Sequence, residues 1–215
     1  SDLHRDSDVH GDVDGNLDAL HGADVLLLFS ESYGVSTLDD PQQASLLDGS
    51  RAALARAIAT GGRQVVSARV RSPTFAGGSW LAHGAVLSGV DTHDPLDYEL
   101  LLSSERRTLV QHFNAHGYRT VAWMPGLQRP WPEGRFFGFT RHADADSMGY
   151  KGLHFGPWRI PDQAAMALLH AQKLAEPPAV RRPRFIVFPT VNSHVPFRPL
   201  APFVADWDRL AGPSP

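Results

Sequence analysis

The run ADVLLLF at 23–29 is continuously apolar and stops abruptly at Ser30-Glu31-Ser32-Tyr33-Gly34. A run this short with a sharp polar end predicts a buried strand of a parallel sheet. Residues 44–60 mix Leu, Ala and Arg at helical spacing, and Gly61-Gly62 stops them. They predict a helix. Residues 64–70 predict a second strand, ended by Ser72-Pro73-Thr74. Gly77-Gly78-Ser79 precedes a compact apolar helix predicted over 80–87, and a longer amphipathic helix is predicted over 98–116. The pattern places a third strand at 118–123, a helix at 162–174 and a fourth strand at 184–188. Between them, 125–161 is rich in Pro, Gly and aromatic residues and predicts a long irregular excursion, where binding residues tend to gather.

Strand and helix therefore alternate along the chain. The predicted fold class is α/β, a mainly parallel sheet flanked by helices on both faces. Residues 1–22 carry His4, Asp6, Asp8, His10, Asp12, Asp14 and Asp18 with little to bury, and are expected to be a flexible polar arm ahead of a single domain over 23–215. Asp12 to Asn16 approximates a calcium loop, but its glycine is misplaced for one.

Composition narrows the function classes. Of 215 residues, 42% are hydrophobic and 20% charged, as in a soluble domain with one sizeable core. The net charge of −3 offers no basic field for nucleic acid, so no nucleic-acid partner is expected. No apolar run approaches the ~20 residues of a membrane span. There is no cysteine, which excludes disulfides, zinc thiolates and a cysteine nucleophile.

The chemistry is expected in loops that leave the carboxyl ends of the strands. Ser79 follows two glycines and opens a helix, where unpaired N–H groups suit a phosphate or sulfate. Its hydroxyl is a candidate nucleophile, or else only an N-cap. Glu31 directly follows the first strand, either as a functional carboxylate or as a solvated loop residue. A carboxylate and a hydroxyl from two loops can share a divalent cation, which would ionise the hydroxyl. His194 lies past the fourth strand.

Four segments carry a resemblance. LLFSESYG at 27–34, FAGGSWLAH at 75–83 with Leu87-Ser88-Gly89, the strand YRTVAW at 118–123, and 185–188 with Thr190, Asn192, Ser193, His194, Pro196 and Phe197 stand in the order found in the sulfatase/alkaline-phosphatase superfamily. The chain resembles that superfamily's phosphotransferase branch, to which lipoteichoic-acid synthases and phosphoethanolamine transferases belong, over roughly 23–200. The resemblance implies an alkaline-phosphatase-like fold and a metal-dependent phosphoryl or phospho-head-group transferase or phosphoesterase. It implies Glu31 and Ser79 as ligands of one divalent metal ion (Mn, Mg, Zn or Ca). Ser79 would also be the nucleophile, becoming phosphorylated in a two-step transfer. His194 would face the substrate, with Trp131, Arg135 and Lys151 of the excursion as further substrate contacts and Trp158 beside them. The implied partner is a phosphorylated or sulfated small molecule or lipid head group, and the implied location is extracytoplasmic, with membrane attachment only through a segment absent from this chain.

Two departures qualify the resemblance. Ser72-Pro73-Thr74-Phe75 lacks the arginine of the formylglycine signature, so sulfate-ester hydrolysis by that route is not expected. The Asp-His pair that completes the family's metal site does not occur before Pro215, so the domain is expected to be incomplete at its C-terminus. Two alternatives remain: a non-catalytic or truncated domain that binds a ligand or partner, and an α/β-hydrolase in which Ser32 is the nucleophile of a near-match to the G-x-S-x-G elbow.

Overall fold

The computed structural model describes residues 15–175 and 181–211. Most of the acidic arm, including Asp12 to Asp14, lies outside them. The described chain divides into two compact units, one running up to Glu31 and resuming at Pro73, the other spanning Ser32–Ser72.

The larger unit is built on four parallel strands, β1 (Val25–Phe29), β2 (Arg119–Trp123), β3 (Arg141–Ala143) and β4 (Arg184–Pro189), in the order β1-β4-β2-β3. β4 pairs with β1 through Val25↔Phe185 to Phe29↔Pro189, and with β2 through Arg119↔Arg184 to Ala122↔Val187. β2 and β4 are central and almost wholly buried, which is why 121–123 and 185–188 are unbroken apolar runs. The predicted α/β class holds.

Alternation along the strands feeds two cores. Ala122, Phe185 and Val187 face one side. There they meet α3 (Ser79–Ser88), α4 (Pro95–Leu102) and α5 (Leu109–Ala115) through Leu81, Leu87, Leu101, Val110 and Phe113. Phe113 and Phe185 stack with centroids 4.1 Å apart. Val121, Trp123, Ile186 and Phe188 face the other side, against Ala164, Ala165, Leu168 and Leu169 of α7 (Asp162–Leu169). The Trp123 indole N–H donates to the Ala165 carbonyl at 3.0 Å. Each such large side chain stabilises the fold by roughly 1.5–3 kcal/mol. Helices therefore do cover both faces. β1 is an edge strand: Val25, Leu27 and Phe29 join the first core, while Leu26 and Leu28 stay 36% and 42% exposed.

The smaller unit holds α1 (Ser36–Asp39) and α2 (Pro41–Thr60), neither of which buries a residue. Asp40 caps α2 by accepting from the Gln43 N–H at 2.8 Å, with Pro41 in the first turn. The strand expected at 64–70 does not form. Val66 and Val70 are 96% and 89% exposed, and without a cover on either face an apolar run gains nothing from extending into a sheet. An Arg69–Asp39 ion pair at 2.6 Å ties this segment to α1.

Three further expectations need correction. The helix expected over 98–116 is two helices. The Ser103 and Ser104 hydroxyls donate back to Leu100 and Leu101 carbonyls and end α4, and Thr108 with Gln111 forms a capping box that starts α5. The excursion at 125–161 is not wholly irregular, since it contains α6 (Gly134–Phe137) and β3. The helix expected over 162–174 is α7 followed by a π-helical turn, His170–Leu174. No helix among the described residues is long and apolar enough to cross a membrane.

Candidate functional site

Glu31 sits two residues past the β1 end and is held by the neighbouring strand's loop. Its N–H donates to Thr190 Oγ1 at 3.0 Å, and the Ser193 hydroxyl donates to its carbonyl oxygen. The Thr190 N–H in turn donates to the Phe29 carbonyl at 2.9 Å. The loop after β4 is braced from below by Asp162. That carboxylate accepts from the Val191 and Asn192 N–H groups at 2.7 and 2.9 Å. Burial raises the Asp162 pKa against those two hydrogen bonds.

Ser79 is the first residue of α3. Gly78, not Ser79, is the N-cap, and it makes no side-chain cap; its φ of 64° explains the glycine. Ala76 also lies at positive φ, 55°, so the loop that delivers Ser79 is backbone-strained. The cap reading of Ser79 therefore falls away. Its side chain instead lies close enough to the Glu31 carboxylate to help lower the pKa of that group. The structure thus brings together the two residues that the sequence reading paired.

It also adds a third. His83 lies one helical turn beyond Ser79, on the same face of α3. Its Nε2 is 3.3 Å from Glu31 Oε1, with side-chain exposures of 22% and 12% for the two groups. Its ring stacks on Phe29 at 4.1 Å. The His83 hydrogen bond is the main cause holding the Glu31 carboxyl below its ordinary value. Burial opposes it, and the His83 charge, the Ser79 hydroxyl and the His194 charge add to it. An i, i+4 spacing from the candidate nucleophile was the signal available for His83 in the sequence.

His194 is close enough for that charge effect. Its Nδ1 lies 2.8 Å from the Val195 carbonyl, an acceptor, so Nδ1 carries the proton and Nε2 is left for a ligand. Trp158 packs edge-on against His194 at 5.0 Å. The indole nitrogen of Trp158 is buried without a hydrogen-bond partner among the described residues.

A cavity of about 490 Å³ opens beside His83. Phe29, Trp80, Leu87, Tyr98 and Trp131 supply its apolar wall, with Glu99 and Glu133 among the polar lining residues. Burial, assisted by the Glu133 charge, pushes the Tyr98 hydroxyl up to about 12. Gly84 lets this wall close, since a Cβ there would come 2.8 Å from the Tyr98 ring. Of the excursion residues expected to touch substrate, Trp131 lines this cavity, while Arg135 and Lys151 are exposed and do not.

Glu31 and Ser79 provide hard oxygen donors of the kind a divalent cation takes. Among the described residues no group of three or more His, Asp or Glu side chains is placed to hold a metal ion. The set therefore fits part of a cation site, short of the three protein ligands usual for catalytic zinc. Ser32, nucleophile of the hydrolase alternative, has φ 59°. The helix that should follow such an elbow directly begins only at Ser36 and is four residues long.

No family model matches the chain, and no curated protein matches it. Among solved structures, the lipoteichoic acid synthase LtaP from Listeria monocytogenes is similar to it with TM-score 0.48 and 13% identity, over 59% of this chain. This chain spans 31% of the length of that one.

Proposed function

We infer that the larger unit carries the nucleophile end of a phosphoryl-transfer site, acting on a phosphate ester as a metal-dependent transferase or phosphoesterase. The observation that supports this reading is the Ser79–Glu31–His83 cluster at the carboxyl ends of β1 and β4, beside an apolar cavity. Glu31 is a poor general base, because its carboxyl is held below the ordinary range. It stays ionised, which suits it to orient the Ser79 hydroxyl and to ligate a cation. Glu31 and Ser79 would hold that one divalent ion, whose charge favours the ionised hydroxyl.

In the proposed step, Ser79 Oγ forms a bond to phosphorus and the bond from phosphorus to the leaving alcohol oxygen breaks. The N-terminus of α3 faces the phosphoryl oxygens with its N–H groups. The apolar part of the leaving alcohol takes the cavity, where His83 gives a proton to the departing oxygen, and the Ser79 proton passes to solvent. His194 meets the substrate through Nε2. A second transfer, to water or an acceptor hydroxyl, frees Ser79.

The test uses an aryl phosphate and an aryl phosphodiester with Mn²⁺ or Mg²⁺ supplied. Turnover should fall at least about a thousandfold in Ser79→Ala. Mass spectrometry of quenched protein should find phosphate on Ser79 and nowhere else. Undiminished turnover in Ser79→Ala would overturn the assignment. A second reading, a ligand-binding domain without catalysis, is favoured by the lack of a third ligating side chain. It expects neither saturable cation binding at Glu31 nor turnover.

A further inference from the structure

A second concave site lies at the opposite ends of the strands. Arg119 is the first residue of β2 and Arg141 the first of β3. Arg141 is in register with Val121, so the two arginines rise from adjacent parallel strands on the face that packs against α7. Arg184 is in register with Arg119 and, by alternation from Ile186, belongs to the same face. The pocket among them has a volume of about 260 Å³ and is lined by Arg119, Arg141, Lys173, Gln172 and Ser147 over a floor of Val121 and Ala143.

Three features mark this as more than a solvated charged surface. The first is concentration of charge: in a chain of net charge −3, Arg119, Arg141 and Lys173 share one hollow. Among the described residues neither Arg119 nor Arg141 forms an ion pair. Three carboxylates among the described residues have partners of their own. Asp24 accepts from Arg181 and from the Arg184 N–H, Asp146 pairs with Arg159, and Asp144 accepts from the Ser147 N–H and hydroxyl. The second is the π-helical turn His170–Leu174, which supplies Gln172 and Lys173. Such turns are rare and are found frequently at functional sites. The third is rigidity: the Gln172 side chain donates to the Met148 carbonyl at 2.8 Å, fixing the turn over the pocket.

We propose that this pocket binds a phosphoryl group, and that it is a site separate from the one at Ser79. Two guanidinium forks from neighbouring strands match the oxygens of a phosphate better than a point charge does. The pocket volume of about 260 Å³ has room for a phosphate. The same chemistry is presented by a free phosphorylated solute and by an anionic lipid head group.

The experiment is a titration with inorganic phosphate at constant ionic strength, read by NMR at the side-chain Nε–H signals of Arg119 and Arg141, with chloride as the control. Both signals should shift along one saturable curve. The affinity read at Arg119 should weaken at least tenfold in Arg141→Gln. Both arginines are exposed, so the substitutions leave the core intact. Phosphate bound near Ser79 moves neither signal, so failure of the phosphoryl-transfer reading leaves this result standing. Shifts no larger than with chloride, or an unchanged curve in Arg141→Gln, overturn the proposal. Sedimentation with vesicles of equal parts phosphatidylglycerol and phosphatidylcholine separates the sources. Binding abolished by Arg119→Gln with Arg141→Gln assigns the head group, no binding assigns the free solute, and binding that survives both substitutions contradicts the site.

Discussion

At the scale of single residues, Glu31 is where charge and burial meet. Its carboxyl is held low by the His83 hydrogen bond against the cost of burial. A depressed carboxyl contributes stability that is present above its unfolded value, 4.5, and is lost as pH falls through its lower folded value. Glu31→Gln should therefore lower stability by about 1–2 kcal/mol near neutral pH. The deficit should shrink towards zero in strong acid. Urea midpoints of both proteins measured across that range check the sign, and a deficit that grows in acid would show that His83 does not hold the carboxylate. Glu31 and Ser79 were legible in the sequence because each follows a recognisable boundary, a strand end and a glycine pair. His83 was not, because its i, i+4 spacing from Ser79 becomes informative only once Glu31 is placed opposite it. Arg135 and Lys151 read as ligands by charge alone, and charge alone does not say which way a loop residue faces.

Among the elements, the break between α4 and α5 depends on Thr108. Its hydroxyl accepts from the Gln111 N–H at 3.2 Å and donates to the Phe137 carbonyl at 2.7 Å, joining two elements through one buried atom. Thr108→Ala removes a cap and leaves that carbonyl without its donor. It should cost about 2–3 kcal/mol in chemical denaturation, and Thr108→Ser should restore most of it. The same cap explains a misreading: helical periodicity continues through 98–116, and only the serine hydroxyls and the capping box interrupt it. β2 and β4 were readable because buried parallel strands carry apolar runs, and β1 because it carries one too, although as an edge strand it buries no residue fully. β3 was not, since Arg-His-Ala carries no such pattern and is a strand only by virtue of β2 beside it. The segment at 64–70 erred the other way, with apolar residues but no neighbour to pair with.

For the whole molecule, the two units differ in how much they bury. The helices of Ser32–Ser72 enclose no buried residue, whereas the strands and helices of the larger unit close two cores. Brief trypsin treatment should therefore cut first after Arg63 or Arg71, and mass spectrometry should find the fragment from Ser72 onward resistant. Early cuts after Arg119 or Arg141 would contradict the arrangement of the sheet. β1 bears on a different property, colloidal behaviour. Among the described residues no strand pairs with its outer side, and its run of leucines leaves Leu26 and Leu28 on the surface. An apolar strand with one open rim is a template on which other chains can assemble. Solutions of this protein should turn turbid on concentration, and Leu28→Lys should raise the concentration at which light scattering begins while leaving the melting temperature nearly unchanged.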